Sequence, residues 1–135
     1  MKQDSQTFIV QCDAEVLWTV LGDMVRNPSR YEDKVACKDI SASGEYKLSR
    51  RIERGGSIVL EDVEFHHDAL MVEITSPTRG LTLIHQIVPS GKSSILNLAS
   101  NQECIDGAST EAETETPDLE RLGARIKKMA EQLSK

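Results

Sequence analysis

The sequence predicts an α+β domain. A curved antiparallel sheet of about seven strands wraps around a long C-terminal helix, and one or two short helices follow the first strand. Three observations predict this. Leu119, Leu122, Ile126, Met129 and Leu133 recur at spacings of 3, 4, 3 and 4, the apolar stripe of one helix. Residues 45–105 alternate with period two between turn signals, as an antiparallel meander does. Residues 6–12 read as a strand that runs directly into an apolar helical segment.

Each element has its own signal. Asp13 is placed to cap a helix beginning at Ala14, where Leu17, Val20 and Leu21 share one face. Asn27-Pro28-Ser29 ends that helix, because the residue before proline avoids the helical region. A short helical turn follows around Ser29–Asp33, then a strand over Val35–Ile40. Gly55-Gly56 is a two-residue hairpin turn, and His67-Asp68, Pro77-Thr78-Arg79-Gly80 and Pro89-Ser90-Gly91 are further breaks. They divide strands at 45–54, 57–66, 69–75, 81–88 and 93–105. Residues 106–116 are small, polar and acidic and read as a solvated linker. Thr116 as cap and Pro117 at the first helical position open the last helix. All of it fits a single domain, residues 1–135.

Composition excludes several functions. The 135 residues carry 22 acids against 16 bases, a net charge of −6, so no nucleic-acid partner is expected. No apolar run approaches the ~20 residues of a membrane span. Met1–Gln6 lacks the apolar core of a signal peptide, and three scattered cysteines suit a reducing compartment. A cytoplasmic location is the expectation. The oligomeric state is left open.

The stretches Arg26-Asn27-Pro28-Ser29-Arg30-Tyr31, Leu48-Ser49-Arg50-Arg51-Ile52 and Val59-Leu60-Glu61-Asp62-Val63, in this order of elements, resemble the START-like (SRPBCC) superfamily. Within it the resemblance is to the acetylaranotin-biosynthesis-protein-like subfamily, formerly a domain of unknown function. The long acidic linker departs from that pattern. The resemblance implies the helix-grip (START/Bet v 1-like) fold and a cavity between sheet and C-terminal helix for a small apolar or amphipathic molecule. It implies no particular reaction.

The hairpins also predict which residues share a face. Counting outward from Gly55-Gly56, Arg54 faces Ser57, Ile52 faces Val59, Arg50 faces Glu61, Leu48 faces Val63 and Tyr46 faces Phe65. The opposite face carries Arg51/Leu60, Ser49/Asp62 and Lys47/Glu64. Through His67-Asp68, Phe65 faces Leu70, Val63 faces Val72 and Glu61 faces Ile74. Through Ser90-Gly91, Ile87 faces Ser94, His85 faces Leu96 and Leu83 faces Leu98. One concave face is then apolar except for Arg50, Glu61 and His85. An opposite-charge pair there is either a polar anchor for a ligand or a buried pair that fixes register. His85 is a ligand contact or a hydrogen-bonded core histidine.

The candidate ligand-binding residues are Trp18, Tyr31, Tyr46, Arg50, Glu61, Phe65 and His85. Trp18 either packs the first helix or lines a cavity mouth with Tyr31. No catalytic residue, cofactor or metal is expected. Adjacent strand residues such as His66 and His67 point to opposite faces, and no cysteine or carboxylate cluster is evident beside them. Arg121, Arg125, Lys127 and Lys128 read as a solvated helix face. Five aromatic residues are too few for a base-stacking platform. The leading function is a small-molecule binding protein. The alternatives are a polyketide-cyclase- or isomerase-like enzyme using Arg50, Glu61 and His85, and an interaction module without ligand.

Overall fold

The computed structural model of the chain describes residues 2–77, 80–102 and 117–135. β1 (Lys2–Val10) leads into α1 (Ala14–Arg26) and a 3-10 turn (Pro28–Arg30). There follow β2 (Val35–Gly44), β3 (Lys47–Arg54), β4 (Ser57–His66), a 3-10 turn (His67–Ala69), β5 (Met71–Ser76), β6 (Leu81–Ser90), β7 (Ser93–Gln102) and α2 (Leu119–Leu133). The strands form one antiparallel sheet in the order β1-β7-β6-β5-β4-β3-β2. After β1 the chain crosses to the far edge through α1, then returns by a meander to lie beside β1. Breaks in the β2–β3 register at Cys37/Asp39 and Ala42/Gly44 add bend and twist to that edge.

Local chemistry sets the helix ends. The Val16 amide donates to Asp13 Oδ1 at 2.9 Å, so Asp13 caps α1 as the sequence predicts. The helix continues past the expected Leu21 to Arg26, because nothing before Asn27-Pro28 stops it and Met24 and Val25 extend its buried face. α2 starts later than expected. Its cap is Asp118, whose Oδ1 accepts from the Arg121 amide at 3.2 Å. A carboxylate is the stronger acceptor for a helix N-terminus, and Pro117 therefore precedes the cap. Thr116, Cys104 and the acidic segment 106–116 lie outside the described residues.

α2 lies along β1 and touches α1 and β7. Leu119, Leu122 and Ile126 are buried and Met129 is partly buried. Leu133, predicted to end the stripe, is 60% exposed, because the helix outruns the sheet there. Gly123 is packed where any side chain would collide with Phe8: a Cβ would stand 2.0 Å from the ring. Three of the basic residues expected to be solvated are exposed or half-exposed and also make contacts. Arg125 and Arg121 pair with Asp33 at 2.8 and 3.3 Å, and Lys127 donates to the Ile9 carbonyl and pairs with Glu131. Glu131 in turn accepts from the Gln11 amide at 2.8 Å.

The β3–β4 register is the predicted one, residue for residue, from Arg54/Ser57 to Lys47/Glu64. Gly55 and Gly56 both have positive φ (60° and 88°), the conformation a tight hairpin of this kind requires. The next hairpins differ from expectation by two residues. Phe65 faces Val72 and Val63 faces Ile74, because the 3-10 turn and a left-handed Leu70 lengthen the β4–β5 connection. Ile87 faces Leu96, His85 faces Leu98 and Leu83 faces Ser100, because the β6–β7 turn is Gly91-Lys92. A shift of two preserves which face each side chain takes, so the predicted concave face survives.

This packing predicts a contrast along α2. Ile126→Ala should destabilise by about 2–5 kcal/mol, the range for a buried aliphatic truncation. Leu133→Ala should change stability by less than about 0.5 kcal/mol. Urea melts of the two variants check this; equal losses would mean that the helix packs on a different stripe.

Candidate functional site

The concave face is apolar over most of its area and holds a few charged groups, each nearly sealed from solvent. Arg50, Glu61 and His85 are each 1% exposed. Arg50 projects from β3 because Leu48, Arg50 and Ile52 share one side of the pleat, and β4 places Glu61 directly opposite. The guanidinium donates from Nε and Nη2 to Glu61 Oε1, at 3.0 and 2.7 Å. It donates a third bond, from Nη1 to the Val25 carbonyl at 2.6 Å. Val25 lies in the last turn of α1, where carbonyls have no intrahelical donor and the helix dipole favours a cation. Arg50 is thus both half of a buried ion pair and the C-terminal anchor of α1.

A second, largely buried pair lies two steps along the same face. Arg54 Nη1 donates to Glu32 Oε1, with side chains 8% and 11% exposed. The sequence reading missed it. Glu32 sits in an irregular segment, and hairpin counting cannot place such a residue. Nearby, the Tyr31 hydroxyl donates to Asp23 Oδ2 at 2.7 Å. Burial and that carboxylate push the phenol well above its ordinary range. Burial pulls Asp23 upward, but hydrogen bonds from Tyr31 and Asn27 and the charge of Arg30 hold it below the usual carboxylate value.

His85 stands apart from the Arg50–Glu61 pair. It is opposite Val72, which is opposite Phe65, whereas Glu61 lies four residues away along β4. Among the described residues neither ring nitrogen has a partner in hydrogen-bonding geometry, although the Val72 backbone lies near enough to favour the charged form slightly. Burial, followed by the charge of Arg50, lowers its pKa from 6.5 to about 4. At neutral pH the ring is uncharged and offers one donor and one acceptor. The Ser76 hydroxyl, on the same face of β5, is also buried and has no partner among the described residues.

The other candidates are dispersed. Trp18 stacks on His67 with ring centroids 5.1 Å apart and meets Phe65 edge-on at 6.2 Å; all three rings lie where α1 passes the β4–β5 turn. Tyr46 stands across from Phe65 as predicted, its carbonyl accepting from the Phe65 amide at 2.8 Å, but it lies in the β2–β3 turn and is 58% exposed, a correction to its place on the packed face. Tyr31 borders a concavity of about 230 Å³ at the opposite end of the grip, with Val35, Arg54, Gly55, Pro117, Arg121 and Leu122. Arg50, Glu61 and His85 are nearly sealed from solvent and do not line this concavity.

No family model matches the chain, and no curated protein matches it in sequence. Solved structures do resemble it. A START superfamily protein from Mycobacterium smegmatis superposes with a TM-score of 0.65 at 18% identity, covering 97% of this chain and 98% of that one. The ZhuI aromatase/cyclase from Streptomyces sp. R1128 gives 0.64 at 15% identity, with coverages of 99% and 96%. A truncated norcoclaurine synthase from Thalictrum flavum gives 0.62 at 14% identity, with coverages of 95% and 92%.

Two outcomes follow from this geometry. Arg50→Ala should be the most destabilising change on the face, because it leaves both the Glu61 charge and the Val25 carbonyl unmatched. Glu61→Ala should cost about 3–5 kcal/mol, and the double change Arg50→Met with Glu61→Leu less, since only the carbonyl is then orphaned. A melting series in which the double variant is the least stable would contradict the buried pair. For His85, the unfolded ring takes up a proton near pH 6.5 and the folded ring does so only near 4. Stability is therefore full above pH 6.5 and falls as the pH drops, by up to about 1.4 kcal/mol per unit. Urea midpoints between pH 6.5 and 5, above the range of most carboxylates, should show that slope in the native chain and lose it in His85→Phe. A flat native profile would place His85 in contact with water or a partner.

These superpositions, with the antiparallel sheet and its long C-terminal helix, show that the chain has the START-like, helix-grip fold.

Proposed function

We propose that the protein binds a small, partly apolar molecule between the sheet and α2, with a neutral polar group of that molecule meeting His85. The observation that carries the reading is the imidazole itself: 1% exposed, with neither nitrogen in hydrogen-bonding geometry to any described residue. A buried polar group without a partner costs about 1–3 kcal/mol, and a ligand hydroxyl can serve as acceptor and donor at once. Ser76 adds a hydroxyl on the same face that has no partner among the described residues. The concavity beside Tyr31, Arg54 and Leu122 is the natural entrance, because it opens where α2 meets the β3–β4 turn. Entry further inward requires α2 to move away from the sheet. Phe65 and Trp18 would close the far end around the ligand's apolar body. Tyr46, exposed in its turn, is left with at most a rim contact.

Binding is favoured over catalysis on electrostatic grounds. A histidine titrating near 4 is uncharged at neutral pH, so it is a poor general acid, and its weak basicity makes it a poor general base. Arg50 already donates to Glu61 and Val25, which makes it a structural cation before it is a ligand contact. The cyclase- or isomerase-like alternative has support only from the sequence resemblance and from the names of solved neighbours. Membership of the acetylaranotin-biosynthesis-protein-like subfamily is part of the same proposal and is supported by the three sequence stretches given above. A soluble, cytoplasmic setting suits it, and no helix among the described residues is long and apolar enough to cross a membrane.

Histidine side-chain NMR tests the proposal, since the chain has only three such rings. Titration with 2-naphthol, an apolar body carrying one hydroxyl, should shift the His85 resonances and leave His66 unmoved. Leu122→Trp, which narrows the entrance, should abolish the shift. Perturbation confined to His66 or His67, or none at all, would contradict a ligand site at His85. Native mass spectrometry of the purified chain should then show a co-purified small molecule.

A further inference from the structure

On the convex face of the sheet, away from the ligand site, we propose that Glu64, His66 and Glu73 form a binding site for a divalent transition-metal ion of the Zn2+ or Co2+ kind. Glu64 and His66 are two apart on β4 and so project to the same side; Glu73 on β5 stands directly opposite Glu64. One ligand atom from each lies within 4.8 Å of the other two. The sequence reading found no such cluster, because it weighed the neighbours His66 and His67, which diverge. The structure instead joins His66 to residues two places back and one strand across.

The contacts are arranged as a cation site would need. Glu64 divides its two oxygens. Oε1 pairs with Lys47 Nζ at 2.9 Å, and Oε2 is turned toward His66 Nε2 at 3.7 Å. The second distance is too long for a hydrogen bond. It is close to the separation of about 3.3–3.5 Å between two ligands on one tetrahedral zinc, given bonds of roughly 2.0–2.2 Å. Two carboxylates facing each other across adjacent strands repel. Lys47 answers one of those charges, and a divalent ion among the three side chains would offset both.

The donor set selects the metal class. One imidazole nitrogen with two carboxylates suits Zn2+ or Co2+ better than Mg2+ or Ca2+, which take all-oxygen sets. Glu64 and Glu73, though not His66, also line a concavity of about 240 Å³ with Ser43, Lys47, Asp62 and Thr75. The three residues stand on paired strands and are partly buried, so little side-chain ordering is required. An ion there would clip β4 to β5, the shortest strand of the sheet.

Isothermal titration of the full chain with Zn2+ alone, in a buffer that does not bind metal, tests the site. The expected result is one ion per chain bound in the micromolar range, weakened at least about tenfold by His66→Ala and by Glu73→Gln separately. Zn2+ should raise the melting temperature of the native chain and of neither variant. Because these positions are on the surface, both variants should fold, and their metal-free melts verify that. Co2+ should give a visible spectrum without the intense near-ultraviolet band of thiolate ligation, which separates this site from the cysteines. Binding that survives both substitutions, a thiolate band, or no heat at about 1 mM Zn2+ would each overturn the proposal.

Discussion

A guanidinium removed from water has to be matched where it stands, and the architecture of the concave face follows from how Arg50 is matched. Its bonds to Glu61 Oε1 require β3 and β4 to pair in one register, since a slip by one residue would turn either group to the convex side. Its bond to the Val25 carbonyl requires α1 to end over that point of the sheet. The chain then has to turn away at once. Asn27-Pro28 makes the turn, and Tyr31 reaches back to Asp23 to close it. Desolvating such a pair is costly, and an apolar replacement of the same shape would hold the layers as well or better. What the ion pair supplies is a single permitted alignment of strand and helix.

That role changes the meaning of charge on this face. Arg50, Glu61, Arg54 and Glu32 form two matched pairs, so the face is close to electrically neutral although it holds four formal charges. His85 is the member left unmatched, and the Arg50 charge is one reason it stays uncharged. Under the proposed function, ligand recognition and structural anchoring fall to different residues within one sheet. The helix-grip fold is shared with proteins named as cyclases and synthases, yet chemistry resides in particular side chains and does not travel with the fold.

Much of this was legible in the sequence because strands have a period of two. Gly55-Gly56 pinned the β3–β4 register outright. At His67–Ala69 and Gly91-Lys92 the true connections differed by two residues, so the partners of Phe65 and His85 were misassigned while their face was not. A difference of one residue would have inverted the whole face. Three features lay beyond such counting. The Val25 carbonyl belongs to the backbone, which sequence patterns do not label. Glu32 reaches Arg54 from an irregular segment. Glu64, His66 and Glu73 converge only once β4 and β5 are paired. The exposure of Leu133 likewise depends on where the sheet stops, a tertiary fact that no helical period contains.

The central claim is that Arg50 holds the end of α1 to the β3–β4 hairpin, and native-state hydrogen exchange on Arg50→Lys tests it most directly. Lysine keeps the charge but loses the planar fork that serves two partners at once. The account predicts faster exchange confined to the last turn of α1 and to the middle of β3 and β4, with β1 and β7 unchanged. Exchange unchanged at the end of α1, or raised equally throughout the sheet, would contradict it.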